Sequence, residues 1–155
     1  MFVTDVSQNK KLPIVVEPVA TADYKKITKK QYSFNWRLEK ESLVYKLTQT
    51  GQTDILGLMS IAYFDAVKRL QIRLLAVAKE HIGANKNIER IAGCLFAYAA
   101  KLAIMRYGAM AAMSLLPKTE LGQHYMDQYG FEQAGRSLFI EGKLLLKLLR
   151  NYDYD

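Results

Sequence analysis

Cysteine is nearly absent: the 155 residues hold one, Cys94, which excludes an internal disulfide and suits a reducing, cytoplasmic compartment. That thiol falls in a helical run, where it reads as a small buried hydrophobe. Histidine is scarce too. Neither His81 nor His124 has a Cys or His partner at metal-ligand spacing, so no metal site is expected, and His81 reads as a surface side chain. No apolar run approaches about 18 residues, which argues against a membrane span. The start, MFVTDVSQNKK, carries Asp5 and no apolar core of leader length, so export is not expected. A P-loop, a G-x-G-x-x-G turn and a G-x-S-x-G elbow are all missing, and phosphoryl transfer, dinucleotide redox and hydrolase chemistry lose their local signatures with them.

What is present fits one domain over residues 1–155. Half the residues are hydrophobic and both charge signs are interspersed, with a formal net charge of +7, enough for a single core. The basic balance suits an anionic ligand, a nucleic acid or plain solubility. Lys25, Lys26, Lys29 and Lys30 recur at helical spacing and read as one solvated face.

LPIVVEPVA reads as a strand, followed by a helix from Thr21 to about Gln31 with Thr21 as its N-cap. Two β-rich runs around TQTGQT predict an antiparallel hairpin. LQIRLLAVA is the next strand, with Leu70, Ile72, Leu74 and Ala76 assigned to one face. From Ile88 the period changes. Ile88, Ile91, Ala92, Leu95, Ala99, Leu102 and Ala103 predict a helix with one buried stripe, capped by Asn87 and ended at Tyr107-Gly108. GAMAAMSLLP gives another strand, TELGQHYMDQY a short helix stopped by Gly130, and SLFIEG a last strand. KLLLKLLRNY fits either a helix or a buried strand. The fold class is α+β with a mixed sheet, since the helical crossover makes LQIRLLAVA and AMAAMSLL parallel while the hairpin is antiparallel. A strand feeding a helix through a polar loop, KEHIGANKN, is also an anion-binding arrangement, because the first-turn N–H groups lack helical partners.

The succession DILGLMSI, LQIRLLAVA, a Gly-bearing loop, a helix ending in AKLA, then HYMDQYGFEQAG and LFIEG resembles the GNAT superfamily of N-acetyltransferases from about Leu43 onward. The resemblance implies a mostly antiparallel sheet splayed between its two parallel strands, and acetyl-CoA as co-substrate. The backbone of Leu75, Ala76 and Val77 would pair with the pantetheine arm. The diphosphate would sit on Gly83, Ala84, Asn85, Lys86, Asn87 and Ile88, a loop that keeps a single glycine; the two asparagines would supply left-handed turns in place of the missing ones. Thr119 stands where the family places an asparagine, and it would cap a helix or touch the cofactor. Tyr125 matches the tyrosine that protonates the departing thiolate, with Tyr129 as the alternative, and a phenol suits that task.

A general base is not readable. Gln71 occupies the neighbourhood of the family's glutamate and cannot take a proton, which leaves Glu41, Glu80 or water. Direct attack by a neutral primary amine then depends on proximity and on polarisation of the carbonyl by strand N–H groups. The alternative is a catalytically degenerate protein of the same fold acting through a protein or RNA partner. Within the enzyme reading a charged tRNA is one conceivable acceptor, a homodimer is left open, and no membrane partner is expected. The acceptor site would be shaped by Tyr24 to Tyr45, with Phe34 and Trp36 lining it or packing in the core.

Overall fold

The computed structural model describes residues 1–117 and 120–153. Phe2–Asp5 (β1) and Lys10–Pro18 (β2) form an N-terminal hairpin whose turn is held by the Asp5 carboxylate, accepting from the Ser7 and Gln8 N–H groups. The next segment departs from the expected single helix. It contains a 3-10 turn at Thr21–Lys25, one α-turn at Lys29–Tyr32 (α1) and a second 3-10 turn at Trp36–Glu39. Thr28, not Thr21, caps α1, its Oγ1 accepting from Gln31 N–H at 3.2 Å. The lysine-rich segment has no apolar stripe of helical period to bury. It instead sends Ile27, Tyr32 and Trp36 singly into the core, while the four lysines stay exposed on separate turns.

Leu43–Gln49 (β3) and Ile55–Phe64 (β4) form the expected antiparallel hairpin, and Arg69–Val77 (β5) extends it as a third antiparallel strand. Ile88–Glu89 (β6) comes next, then the helix Ile91–Tyr107 (α2), and then Ala112–Leu115 (β7). Gly122–Tyr129 (α3), Glu132–Ala134 (β8), Ser137–Glu141 (β9) and the helix Gly142–Asp153 (α4) complete the chain. The nine strands lie in the order β6-β1-β2-β3-β4-β5-β7-β9-β8. Only β5 and β7 pair in parallel, so the sheet is mixed and mostly antiparallel, with helices flanking it.

The one-face assignment for β5 is corrected by a bulge. Ser60 pairs with Leu74 but the next residue, Ile61, pairs with Ile72, so Arg73 is an extra residue, and an insertion of one reverses the side-chain alternation beyond it. Leu70 and Ile72 belong to the core beneath α2, with Leu75 and Val77 packed against it. Leu74 and Ala76 face the opposite cluster, formed with Tyr32, Trp36, Val44 and Leu58. The helix after the loop also starts later than expected. Ile88 and Glu89 pair with β1, and Arg90, in a left-handed conformation at φ 79°, caps α2 in place of Asn87. Nor is α2 buried along one stripe. Gly93, Cys94, Leu95, Phe96 and Ala97 are consecutive and all buried, because α2 lies between the sheet and α4. Two glycines permit this: a Cβ at Gly57 would stand 2.8 Å from the Ile91 side chain, and one at Gly93 would stand 2.2 Å from the Tyr152 ring. KLLLKLLRNY resolves as helix, with Leu145, Leu148 and Tyr152 on its buried side.

Candidate active site

β5 and β7 part after four residues. Arg69–Ile72 pair with Ala112–Leu115, but β5 continues to Val77, whereas Pro117 follows β7 and has no N–H to extend a central ladder. From Arg73 onward β5 is therefore bonded to β4 alone, and its other edge opens onto a cavity of about 490 Å³. Leu75, Ala76 and Val77 all line it.

The far wall is the N-terminus of α2. Its first internal bond runs from Cys94 N–H to Arg90 O at 2.9 Å, so the N–H groups of Ile91, Ala92 and Gly93 have no acceptor within the helix, which leaves the positive end of its dipole at the cavity. Ile91 and Ala92 are lining residues. Arg90 acts as a strut. Its guanidinium lies over the rings of Phe2 and Tyr152, 4.1 and 4.6 Å from their centroids, and Nε donates to Phe2 O at 3.2 Å.

Of the loop residues singled out in the sequence, Gly83, Lys86 and Ile88 reach the cavity, while Ala84, Asn85 and Asn87 are not among its lining residues. Neither asparagine adopts the left-handed conformation expected of it; among the described residues of the loop that role falls to Gly83, at φ 87°, and Arg90. Asn87 serves the N-terminal hairpin instead, its carbonyl accepting from Val6 N–H at 3.0 Å. Pairing of β6 with β1 thus holds the loop from outside and removes the need for a second turn residue. Thr119 lies outside the described residues.

Tyr125 and Tyr129, on successive turns of α3, both line the cavity and both pack against Phe96, Tyr125 edge-on and Tyr129 tilted. Their environments differ. Burial alone raises the Tyr125 phenol above its ordinary value of 10, and among the described residues its hydroxyl has no hydrogen-bond partner. Tyr129 is buried more deeply and is pushed further up, first by burial and then by Tyr152, whose ring lies 6.1 Å away.

His81, expected at the surface, also lines the cavity. Its ring is nine-tenths buried, and its Nδ1 has no partner among the described residues. The candidate bases are elsewhere. Glu80 is exposed and accepts from the Gln31 amide, Glu41 borders a separate shallow pocket, and Gln71 does not line the cavity. Trp36 is core, its Nε1 donating to Tyr32 O at 3.0 Å, whereas Phe34, edge-on against it, is a wall of the cavity together with Ser33.

Sequence reasoning missed a cluster at this end. The buried Glu39 carboxylate accepts from Ser60 Oγ at 2.9 Å and from Arg73 Nε at 3.0 Å, and Arg73 lines the cavity. The one available signal was an arginine between the apolar residues Ile72 and Leu74 of the strand. Among the described residues no three His, Cys, Asp or Glu side chains converge as for a metal, and no helix is long and apolar enough to cross a membrane.

No protein-family model matches the sequence, and no curated protein matches it. Solved structures do. The chain is 15% identical to the AtaT toxin bound to the C-terminus of the antitoxin AtaR and acetyl-CoA, over 87% of this chain and 97% of that one, at a TM-score of 0.59; the same toxin matches in its complex with acetyl-methionyl-tRNA. A SpeG spermidine N-acetyltransferase from Vibrio cholerae is 12% identical over 86% of this chain and 96% of that one, at a TM-score of 0.63. The PaiA N-acetyltransferase from Thermoplasma acidophilum in complex with coenzyme A is 14% identical over 85% of this chain and 99% of that one, at 0.56. Identities this low establish a shared fold.

Proposed function

We propose, on the premise that the chain has the fold of the GNAT N-acetyltransferases, that it transfers an acetyl group from acetyl-CoA to a primary amine by direct attack. The observation that carries this reading is the unpaired edge of β5 beyond Ile72, opening onto a cavity that also holds the α2 N-terminus and a free tyrosine hydroxyl. Those features fit the co-substrate. Backbone groups of Leu75, Ala76 and Val77 suit an amide-bearing arm, as a further strand would. Lys86, with the first-turn N–H groups of α2, suits a diphosphate.

Tyr125 holds a proton at Oη for a thiolate leaving from the β5 edge. Its raised pKa keeps it protonated throughout the neutral range. Among the described residues the one carboxylate lining the cavity is Glu89, which pairs with Lys86 at 4.0 Å, so the amine is expected to arrive neutral or to lose its proton to water. Strand N–H groups then polarise the carbonyl under attack.

The alternative is a binding protein of the same fold, and one observation favours it: β6 is paired to β1 and draws Asn87 away from the cavity. Calorimetric titration with acetyl-CoA separates the two, using the wild type and Lys86→Glu. Micromolar affinity, weakened about tenfold or more by the charge reversal, is the expected result. A wild type that takes up no acetyl-CoA leaves the scaffold reading.

A further inference from the structure

Beside Ser33 and Phe34 the cavity carries the Arg73 guanidinium. A surface strand arginine ordinarily alternates outward, but Arg73 is the extra residue of the β5 bulge, so it shares the side of the sheet occupied by Leu74, Glu39 and Ser60. Glu39 is only 7% exposed and Ser60 is fully buried. One carboxylate oxygen of Glu39 accepts from both Ser60 Oγ and Arg73 Nε, gripping the guanidinium by its inner edge. Among the described residues nothing takes the four N–H donors on Nη1 and Nη2, and the Arg73 side chain stays 46% exposed. An ion pair gains little at a surface, while burying a carboxylate is costly. The arrangement is therefore a poor stabilising device and a good positioning one: it aims a planar fork, suited to two anionic oxygens, into the cavity.

We propose that Arg73 is the acceptor-recognition residue, and that the acceptor is an amine carrying an anionic oxygen group, carboxylate or phosphate, a few bonds from its nitrogen. This rests on the acyltransferase reading. Arg73 and Leu75 are two residues apart along one strand, about 7 Å, so an anion held on Nη1 and Nη2 leaves the amine beside the open β5 edge. Phe34 and Leu74 supply an apolar wall between the two, and Ser33 adds a hydroxyl rather than a charge. A polyamine would meet this fork with like charge.

The test is calorimetric binding of matched pairs to the full-length protein, with and without CoA: an amino acid and its amide, phosphoethanolamine and ethanolamine, and spermidine. The anionic member of at least one pair should bind roughly tenfold to a hundredfold more tightly, and the pair that shows it identifies carboxylate or phosphate. Arg73→Gln should erase the difference and Arg73→Lys restore part of it, both with wild-type acetyl-CoA affinity, while the unfolding temperature falls in Arg73→Gln because Glu39 stays buried without its cation. Equal binding within both pairs, a preference for spermidine, a difference that survives Arg73→Gln, or no binding of any amine overturns the proposal. So does tighter binding of an RNA-borne aminoacyl ester, which has lost the carboxylate. An anion preference in a protein that does not take up acetyl-CoA overturns the acyltransferase reading alone.

Discussion

Tyr125 and Tyr129 show how one residue type acquires two roles from its surroundings. Both phenols are raised by burial and both rings pack on Phe96, but it is Tyr129 whose ring continues the stack to Tyr152 and the Arg90 guanidinium. A proton donor must be free to reorient toward its acceptor, which is why Tyr125 rather than Tyr129 is proposed as the acid. Tyr125→Phe keeps the ring against Phe96 and removes only the proton. Turnover is then expected to fall about a hundredfold, the lower range for a positioned acid, with acetyl-CoA affinity nearly unchanged. Tyr129→Phe should leave turnover within a few-fold and lower the unfolding temperature instead. Steady-state rates beside calorimetry separate these outcomes, and an unchanged rate in Tyr125→Phe removes it from the chemistry.

At the scale of elements, the close seat of α2 is testable through Gly93. An alanine there normally favours a helix by up to about 1 kcal/mol, yet its Cβ would meet the Tyr152 ring at 2.2 Å. Overpacking of this kind costs about 1–3 kcal/mol, so Gly93→Ala should lower the unfolding temperature, and the same change in a Tyr152→Ala background should be neutral or stabilising. The sign reversal in this double-mutant cycle is the diagnostic, and thermal denaturation of the four proteins measures it. These elements also mark the limit of what the sequence discloses. Alternation and turn chemistry located β3, β4, β5 and β7, the crossover made β5 and β7 parallel, and Gly108 and Gly130 ended α2 and α3, because each of those signals is local. The bulge at Arg73, the pairing of β6 with β1 and the all-round burial of α2 depend on partners distant in the chain, and no periodicity encodes them. Tyr125, Lys86 and the β5 edge are singled out by the family resemblance rather than by any local period, and all three line the cavity. The Arg73–Glu39 cluster could not be, since Glu39 meets Ser60 and Arg73 from 21 and 34 residues away, and His81, read as a surface residue, is buried by the fold.

Considered whole, the molecule places its cavity where segments between Ser33 and Tyr129 meet. Ser33 and Phe34 come from the segment before β3, His81 to Arg90 from the loop, and Tyr125 from the second half, with β5 and α2 forming the walls between. The lining draws on both apolar clusters, Leu75 and Phe96 from one and Phe34 and Leu74 from the other, so a ligand filling the cavity touches both. Binding to the folded state alone adds about 2.7 kcal/mol at a hundredfold excess over Kd. For a chain of this size, at about 2–4 °C per kcal/mol, that is a rise of roughly 5–11 °C in the unfolding temperature. Scanning calorimetry across an acetyl-CoA series should show a midpoint climbing with the logarithm of concentration. The slope should survive Tyr125→Phe, which leaves binding intact, and the whole series should shift to higher concentration in Lys86→Glu, where the anion contact is reversed. A midpoint indifferent to acetyl-CoA in the wild type would mean that the cavity is not a coenzyme site, and the role of β5's open edge would pass to a peptide strand from another protein.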